Sequence, residues 1–201
     1  MTLDQFRPTV NRVLEPFVKG AVRLGLTPNA ISVLAFVLAV AAGGAFWLAG
    51  SAPVWYFVAL VCVLLNGTLD LLDGAVARRM ETASPAGDLI DHVIDRYADI
   101  VILVGLAAGA NQYALGLAAV TGVLMTSYLG TQAQAVGLDR VYGGLVGRAD
   151  RLVIIGLVAL VAAFVPQEIR GLTVVGWSLV FFAIVGHLTA VQRFYYSLKA
   201  L

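Results

Sequence analysis

Charge is what this sequence has least of. Its 201 residues carry 13 basic and 12 acidic side chains, 12% of the chain, against 60% hydrophobic residues and a mean hydropathy of +0.90. A soluble globule of this size needs more polar surface than that, and a disordered chain needs far more. A net charge of +1 offers no pull on a polyanion, so nucleic acid is excluded as a partner. The single cysteine, Cys62, cannot form an internal disulfide and leaves no thiolate cluster for zinc. Of the two histidines, His92 neighbours Asp91 but projects about 100° away from it, and His187, in the middle of an apolar run, reads as a hydrogen-bonding side chain rather than a ligand. What remains is an integral membrane protein.

Apolar runs of about 20 residues cross a bilayer as helices. Six are read here: Pro28–Ala49, Pro53–Ala77, Asp88–Ala110, Tyr113–Gln134, Ala149–Val165 and Leu172–Val191. The third qualifies only if its carboxylate-rich first half faces protein rather than lipid. The expected fold class is therefore an all-α integral membrane protein of six transmembrane helices. It forms one membrane domain over 1–201, with a six-helix core at 28–191 and a cytoplasmic tail at 192–201. Within 1–24, Leu3, Phe6, Val10, Val13, Leu14, Phe17 and Val18 recur at helical spacing between charged residues, the pattern of an amphipathic helix in the membrane interface, bent or broken at Pro16. A leader that merely orients the chain is the plainer alternative. A cleavable signal peptide is not expected, because these residues are too charged to supply its apolar core.

Orientation follows from lysine and arginine. With six spans both termini share a side. That side holds Arg7, Arg12, Lys19, Arg23, Arg78, Arg79, Arg140, Arg148, Arg151, Arg193 and Lys199, against Arg170 alone on the other. Both termini are expected in the cytoplasm. Trp47, Trp55, Tyr113 and Trp177 then fall toward the outer interface.

The scarce charge is also unevenly spent. Six aspartates lie between Asp70 and Asp99, in the second and third spans. Asp70 and Asp73 are i,i+3 neighbours, and at about 100° per residue Asp88, Asp91, Asp95 and Asp99 share a stripe roughly 80° wide. Two antiparallel helices can thus aim four or more carboxylates at one point near the cytoplasmic surface. At about 2.5–3.5 kcal/mol for each charge at full membrane depth, six would cost on the order of 15–20 kcal/mol. Arg78, Arg79 and Arg96 are too few to neutralise them. Hard oxygen donors in this number suit Mg²⁺ or Mn²⁺, with two ions sharing bridging carboxylates. Gly74 and Ala77 leave the helix face open to a bulky ligand, and Arg78 offers a fork for a phosphate oxygen. One such aspartate alone could equally be a bundle residue, and a pair could be an ion or proton path in a transporter.

Asp70-x₂-Asp73-Gly74-x₂-Ala77-Arg78-x₈-Gly87-x₃-Asp91-x₃-Asp95 resembles the signature of the CDP-alcohol phosphatidyltransferases at all eight of its fixed positions. At residue frequencies of roughly 5–10% each, a chance match is on the order of 10⁻¹⁰ per start position. The resemblance implies transfer of a phosphatidyl-type group, diacylglycerol or archaeol, from a CDP-lipid to a small polar alcohol, with release of CMP. It implies Asp70, Asp73, Asp91 and Asp95 as ligands of two metal ions, and Asp95 as the base on the acceptor hydroxyl. Gly74, Ala77, Arg78, Ser84 and Gly87 are implied as the site of the CDP-lipid, and Asn29 and Ser32, from Pro28-Asn29-Ala30-Ile31-Ser32, as further nucleotide contacts. A homodimer is the family expectation.

Asp91-x₃-Asp95-Arg96-x₂-Asp99 further resembles the phosphatidylinositol phosphate and archaetidylinositol phosphate synthases, which points to inositol 1-phosphate as acceptor. An anionic acceptor needs cations, and Arg148, Arg151 and Arg193 are the candidates for its phosphate, or are positive-inside anchors. On the fourth span, Ser127-Tyr128-Leu129-Gly130-Thr131-Gln132 has Gly130 and Gln132 where that branch carries Lys and Arg. Glycerol phosphate therefore stays open as the acceptor. His92, Asp88 and Asp99 receive no role, and Tyr142-Gly143-Gly144 reads as a flexible loop.

Overall fold

The computed structural model of the chain describes residues 7–139 and 144–201, with side chains described from residue 13 onward. Seven helices follow one another: α1 (Arg7–Arg23), α2 (Pro28–Ala49), α3 (Val54–Arg79), α4 (Pro85–Gly109), α5 (Tyr113–Ala135), α6 (Arg148–Phe164) and α7 (Val174–Ala200). Among the described residues the extended structure is one isolated bridge between Ile169 and Leu172. The chain is an all-helical integral membrane protein, in which α2, α3, α5 and α7 are long and apolar enough to cross a bilayer. Helix α4 carries four aspartates and an arginine between Asp88 and Asp99, and α6 has 17 residues, so neither reaches that standard alone.

Local chemistry accounts for the helix ends. α1 closes on Gly25 at φ +70°, where Leu26 N–H reaches back to Ala21 O at 3.0 Å. Two residues later Thr27 caps α2 through Ala30 N–H, with Pro28 in its first turn. Ser84 and Pro85 do the same for α4, which therefore starts three residues before Asp88 and takes all its aspartates into one helix. At the far end of the chain nothing between Val191 and Ala200 breaks the helical repeat. Residues 192–200, expected as a tail, accordingly continue α7. Pro16 likewise does not break α1, which runs through it with the proline on the exposed side.

The apolar face of α1 divides. Leu14, Val18 and Ala21 pack on Ile31, Leu72 and Val76, whereas Val13 and Phe17 face outward. This satellite core clamps α1 across the ends of α2 and α3 that bear Ser32 and Asp73. Leu3 and Phe6 lie outside the described residues, as do the side chains of Arg7, Val10 and Arg12, and the whole of Arg140, Tyr142 and Gly143.

The main core joins α2 through α7 around Phe46, Ile102, Leu103, Leu106, Ile155 and Leu179. Small residues let helices cross with backbones touching. A Cβ on Gly105 of α4 would run into the Gly43 backbone of α2, and one on Gly186 of α7 would lie 2.7 Å from the Gly122 carbonyl carbon of α5. Thr126 ties the second crossing by donating to Gly186 O at 2.8 Å. Large apolar side chains cover the outside instead, among them Val37, Val61, Leu157 and Leu188, as a bilayer requires.

Candidate active site

Three of the aspartates converge. Asp70 from α3 and Asp91 and Asp95 from α4 each offer a carboxylate oxygen within 4.8 Å of the others. The i,i+4 step from Asp91 to Asp95 stacks two carboxylates on one face of α4, and Asp70 arrives from the neighbouring helix. Asp73, one turn along from Asp70, is not in the trio. It is 5% exposed, and the Ser32 hydroxyl donates to it at 2.6 Å, with Pro28 O at 3.2 Å as that hydroxyl's other acceptor.

All three converging groups are anionic oxygen donors, partly buried, on two rigid helices. That donor set fits Mg²⁺ or Mn²⁺, which take carboxylate oxygens and keep open positions for substrate. Asp95 Oδ1 is buried and has a cationic partner, Arg148 Nη1, at 2.8 Å.

Arg148, at the first position of α6, reaches into this cluster. One guanidinium nitrogen forms ion pairs with both Asp70 and Asp95, the latter at 2.8 Å. Arg151, one turn later, is bound at two points by Asp99: Nε at 3.2 Å and Nη2 at 2.5 Å. Both members are buried, Asp99 to 3% and Arg151 to 5% exposure. Arg96 completes the set, 3.6 Å from carboxylate oxygens of Asp95 and Asp99 and donating to Ser127 of α5. Desolvated arginines and aspartates are tolerable in a bundle only when paired in this manner.

The remaining candidate residues fall into two groups. Gly74, Ala77 and Arg78 lie in the last turns of α3, and a Cβ on Gly74 would meet nothing but the flexible Arg78 tip at 3.4 Å; Arg78 also faces α1. A cavity of about 280 Å³ opens there, lined by Glu15, Val18, Ala75, Arg78 and Arg79. Ser84 and Gly87 form the α4 cap, Gly87 N–H donating to Ser84 Oγ at 3.2 Å. Asn29 is exposed in the first turn of α2. Arg193 of α7 donates to Thr126 O at 2.6 Å. His187 is exposed, with Thr121 Oγ1 3.4 Å from its ring.

Asp99 went without a role on sequence grounds although it continues the stripe of Asp91 and Asp95. Its partner lies 52 positions away on a helix whose face the sequence does not specify. Asp88, exposed in the first turn of α4, sits where a carboxylate favours the helix dipole.

Comparison with known proteins agrees with this geometry. The pattern of the CDP-alcohol phosphatidyltransferase family matches residues 25–189. The archaetidylinositol phosphate synthase of Methanothermobacter thermautotrophicus is 31% identical over 199 residues, covering 96% of this chain and 93% of the relative. The phosphatidylinositol phosphate synthase of Mycobacterium tuberculosis is 32% identical over 203 residues, covering 93% and 86%. A crystal structure of the Mycobacterium tuberculosis enzyme with manganese and citrate superimposes with a TM-score of 0.77 at 26% identity, covering 90% of this chain and 87% of that one. The same enzyme with CDP-DAG bound gives 0.77 at 26% identity, covering 92% and 94%.

Proposed function

The chain belongs to the CDP-alcohol phosphatidyltransferase family, and from that membership we propose an archaetidylinositol or phosphatidylinositol phosphate synthase, with inositol 1-phosphate as its acceptor. The enzyme is a metal-dependent transferase that moves a phosphatidyl-type group from a CDP-lipid to a small alcohol and releases CMP. The observation that carries the reading is the convergence of Asp70, Asp91 and Asp95 within 4.8 Å, with arginines packed against it.

Asp70, Asp73, Asp91 and Asp95 would hold the divalent cations, which when bound supply the positive charge that offsets the pyrophosphate and the departing CMP. Asp95 accepts the proton of the attacking acceptor hydroxyl. The acceptor oxygen bonds to the lipid-side phosphorus, the bond from that phosphorus to the CMP oxygen breaks, and CMP leaves with the electron pair. Gly74, Ala77, Arg78, Ser84 and Gly87, with Asn29 and Ser32, are the proposed donor contacts; Arg78 lines an open groove of about 280 Å³, and a Cβ on Gly74 would meet only the Arg78 tip, so this part of α3 has room for a bulky ligand. Arg148, Arg151 and Arg193 are the proposed cations for the acceptor phosphate; Arg151 is held at two points by Asp99 and Arg193 donates to Thr126 O, so Arg148, held through one nitrogen, has the most donors to offer a phosphate.

Six membrane crossings place α4 and α6 among the spans, with both termini and the carboxylates on the cytoplasmic side. Two copies of the chain form the working unit. These three readings follow the charge asymmetry and the family pattern.

The test is CMP release from CDP-lipid, with Mn²⁺, Mg²⁺ or EDTA, across inositol 1-phosphate, glycerol 3-phosphate, glycerol 1-phosphate, serine and inositol. Release with inositol 1-phosphate alone, abolished by EDTA, is expected. Preference for a glycerol phosphate would overturn the acceptor assignment, and the neutral residues Gly130 and Gln132 make that the second reading to examine.

A further inference from the structure

Six side chains alternate in sign through the bundle: Asp70, Arg148, Asp95, Arg96, Asp99 and Arg151. Their charges sum to zero, and they join α3, α4 and α6. The two arginines of α6 differ in how they are held. Arg151 uses Nε and Nη2 together against one carboxylate, 94% of its side chain withdrawn from solvent. Arg148 uses a single nitrogen, Nη1, for both Asp70 and Asp95, while its buried Nε has no hydrogen-bond partner. A fork gripped at two points is an anchor. A fork gripped at one tip, with its stem unbonded, keeps donors to spare for a second partner.

Arg148 also contacts two of the three carboxylates whose oxygens converge. A carboxylate held by a guanidinium is less available to a divalent cation, so the two compete for Asp70 and Asp95. Without either, three carboxylates within 4.8 Å would repel one another in a partly desolvated site.

We propose that Arg148 is the resident counter-cation of the carboxylate cluster: it holds Asp70 and Asp95 together until a divalent cation is bound, and then turns from them toward the acceptor phosphate. The inference rests on the metal and acceptor assignments of the proposed function and adds an order to them. Arg151, clamped by Asp99, keeps the first turn of α6 in place while Arg148 changes partners. Binding of cation and binding of phosphate are then positively linked through one side chain.

Mn²⁺ binding to the full chain in detergent, followed by the EPR signal of free Mn²⁺, tests this without an acceptor. Arg148→Gln is expected to bind Mn²⁺ about tenfold more tightly than the parent, a difference of about 1.4 kcal/mol. Arg148→Lys, which keeps the charge, should stay closer to the parent, and Arg170→Gln, which removes an exposed charge at a distant turn, should leave the affinity unchanged. Unchanged or weaker Mn²⁺ binding by a monodisperse Arg148→Gln protein would overturn the proposal, as would an equal gain in Arg170→Gln. If Arg148→Gln does not fold, the arginine Nε–H resonances of the parent decide the matter. Movement of Arg148 but not Arg151 on adding Mg²⁺ supports the exchange, and an unmoved Arg148 refutes it. Parental protein that binds Mn²⁺ yet releases no CMP with any acceptor would instead defeat the functional reading alone.

Discussion

Replacing Asp99 with asparagine removes one charge and almost no volume. No cavity is made, so the effect isolates electrostatics. In the parent, Asp99 holds Arg151 at 3.2 and 2.5 Å and stands 3.6 Å from Arg96, with 3% of its surface exposed. Asparagine offers one carbonyl in place of two anionic oxygens and turns an amide toward a guanidinium. Arg151, itself 5% exposed, is left charged with no anion in contact. Breaking a buried pair by removing one partner costs about 3–5 kcal/mol. For a chain of this length each kcal/mol lowers the melting temperature by about 2–4 °C, so Asp99→Asn should melt about 6–20 °C below the parent.

Thermal unfolding in detergent can be followed by circular dichroism and by reaction of a thiol dye with Cys62, the one thiol in the chain. The companion variant is Arg151→Met, with an unbranched apolar side chain and no charge. Asp99→Asn combined with Arg151→Met should recover part of the loss, because it removes the uncompensated buried charge that the single change leaves behind. A single Asp99→Asn variant that melts within about 2 °C of the parent would refute the reasoning. So would losses that merely add in the double variant. Either result would mean that Arg151 is hydrated or finds another anion.

The adjacent glycines of α2 should behave in opposite ways: Gly43→Ala drives a Cβ to 2.6 Å from Val101 O and should lower the melting temperature, whereas Gly44→Ala, with nothing within 4 Å, should raise it slightly through helix propensity, by about 0.5–1 kcal/mol. Asp95→Asn should abolish CMP release while leaving CDP-lipid binding within about threefold of the parent, since its proposed task is proton transfer; parallel loss of both, read by release and filter-binding assays, would argue against a base at this position. Ser32→Ala strips the 2.6 Å hydrogen bond from buried Asp73 and should cost about 1–3 kcal/mol in thermal unfolding, with Ser32→Thr largely restoring it. On a cysteine-free background, Arg170→Cys should react with an impermeant maleimide in intact cells and Lys199→Cys should not; the reverse pattern would invert the proposed orientation.

Much of the site was legible because its residues are close in sequence. The step from Asp91 to Asp95 is one turn of α4, and a helix of any tertiary context stacks those carboxylates. Gly25, Thr27, Ser84 and Pro85 announce their helix ends by local backbone chemistry, which is why those ends were readable to within a few residues, whereas the end of α7, with no such signal after Val191, was placed nine residues short. Partners separated by half the chain were not legible. Arg148 and Arg151 look like interface anchors until α6 is packed on α3, when one meets Asp70 and Asp95 and the other meets Asp99. Ser32 was noticed beside Asn29 as a nucleotide contact, yet its hydroxyl lies on Asp73, 41 positions away. The glycine crossings share this limit: Gly43 and Gly44 are identical in type and neighbours in sequence, and only the position of α4 separates a contact from open space.

The scarcity of charge and its concentration have one physical cause. A membrane bundle tolerates aspartates only where something offsets them, and arginine and divalent cations are the available means. Around Asp95 both act on the same carboxylates, so the site is stable as a folded bundle before it is competent as a catalyst. Pairing Asp99 with Arg151 serves the first requirement, because a bidentate buried pair has no spare donor geometry for substrate on the bonded edge. Holding Asp70 and Asp95 by a single arginine nitrogen serves the second, because that contact can be surrendered without moving a helix. The division between a charge pair that fastens and one that yields is therefore set by how many guanidinium nitrogens each carboxylate engages, and the Mn²⁺ affinity of Arg148→Gln against the melting temperature of Asp99→Asn measures the two separately.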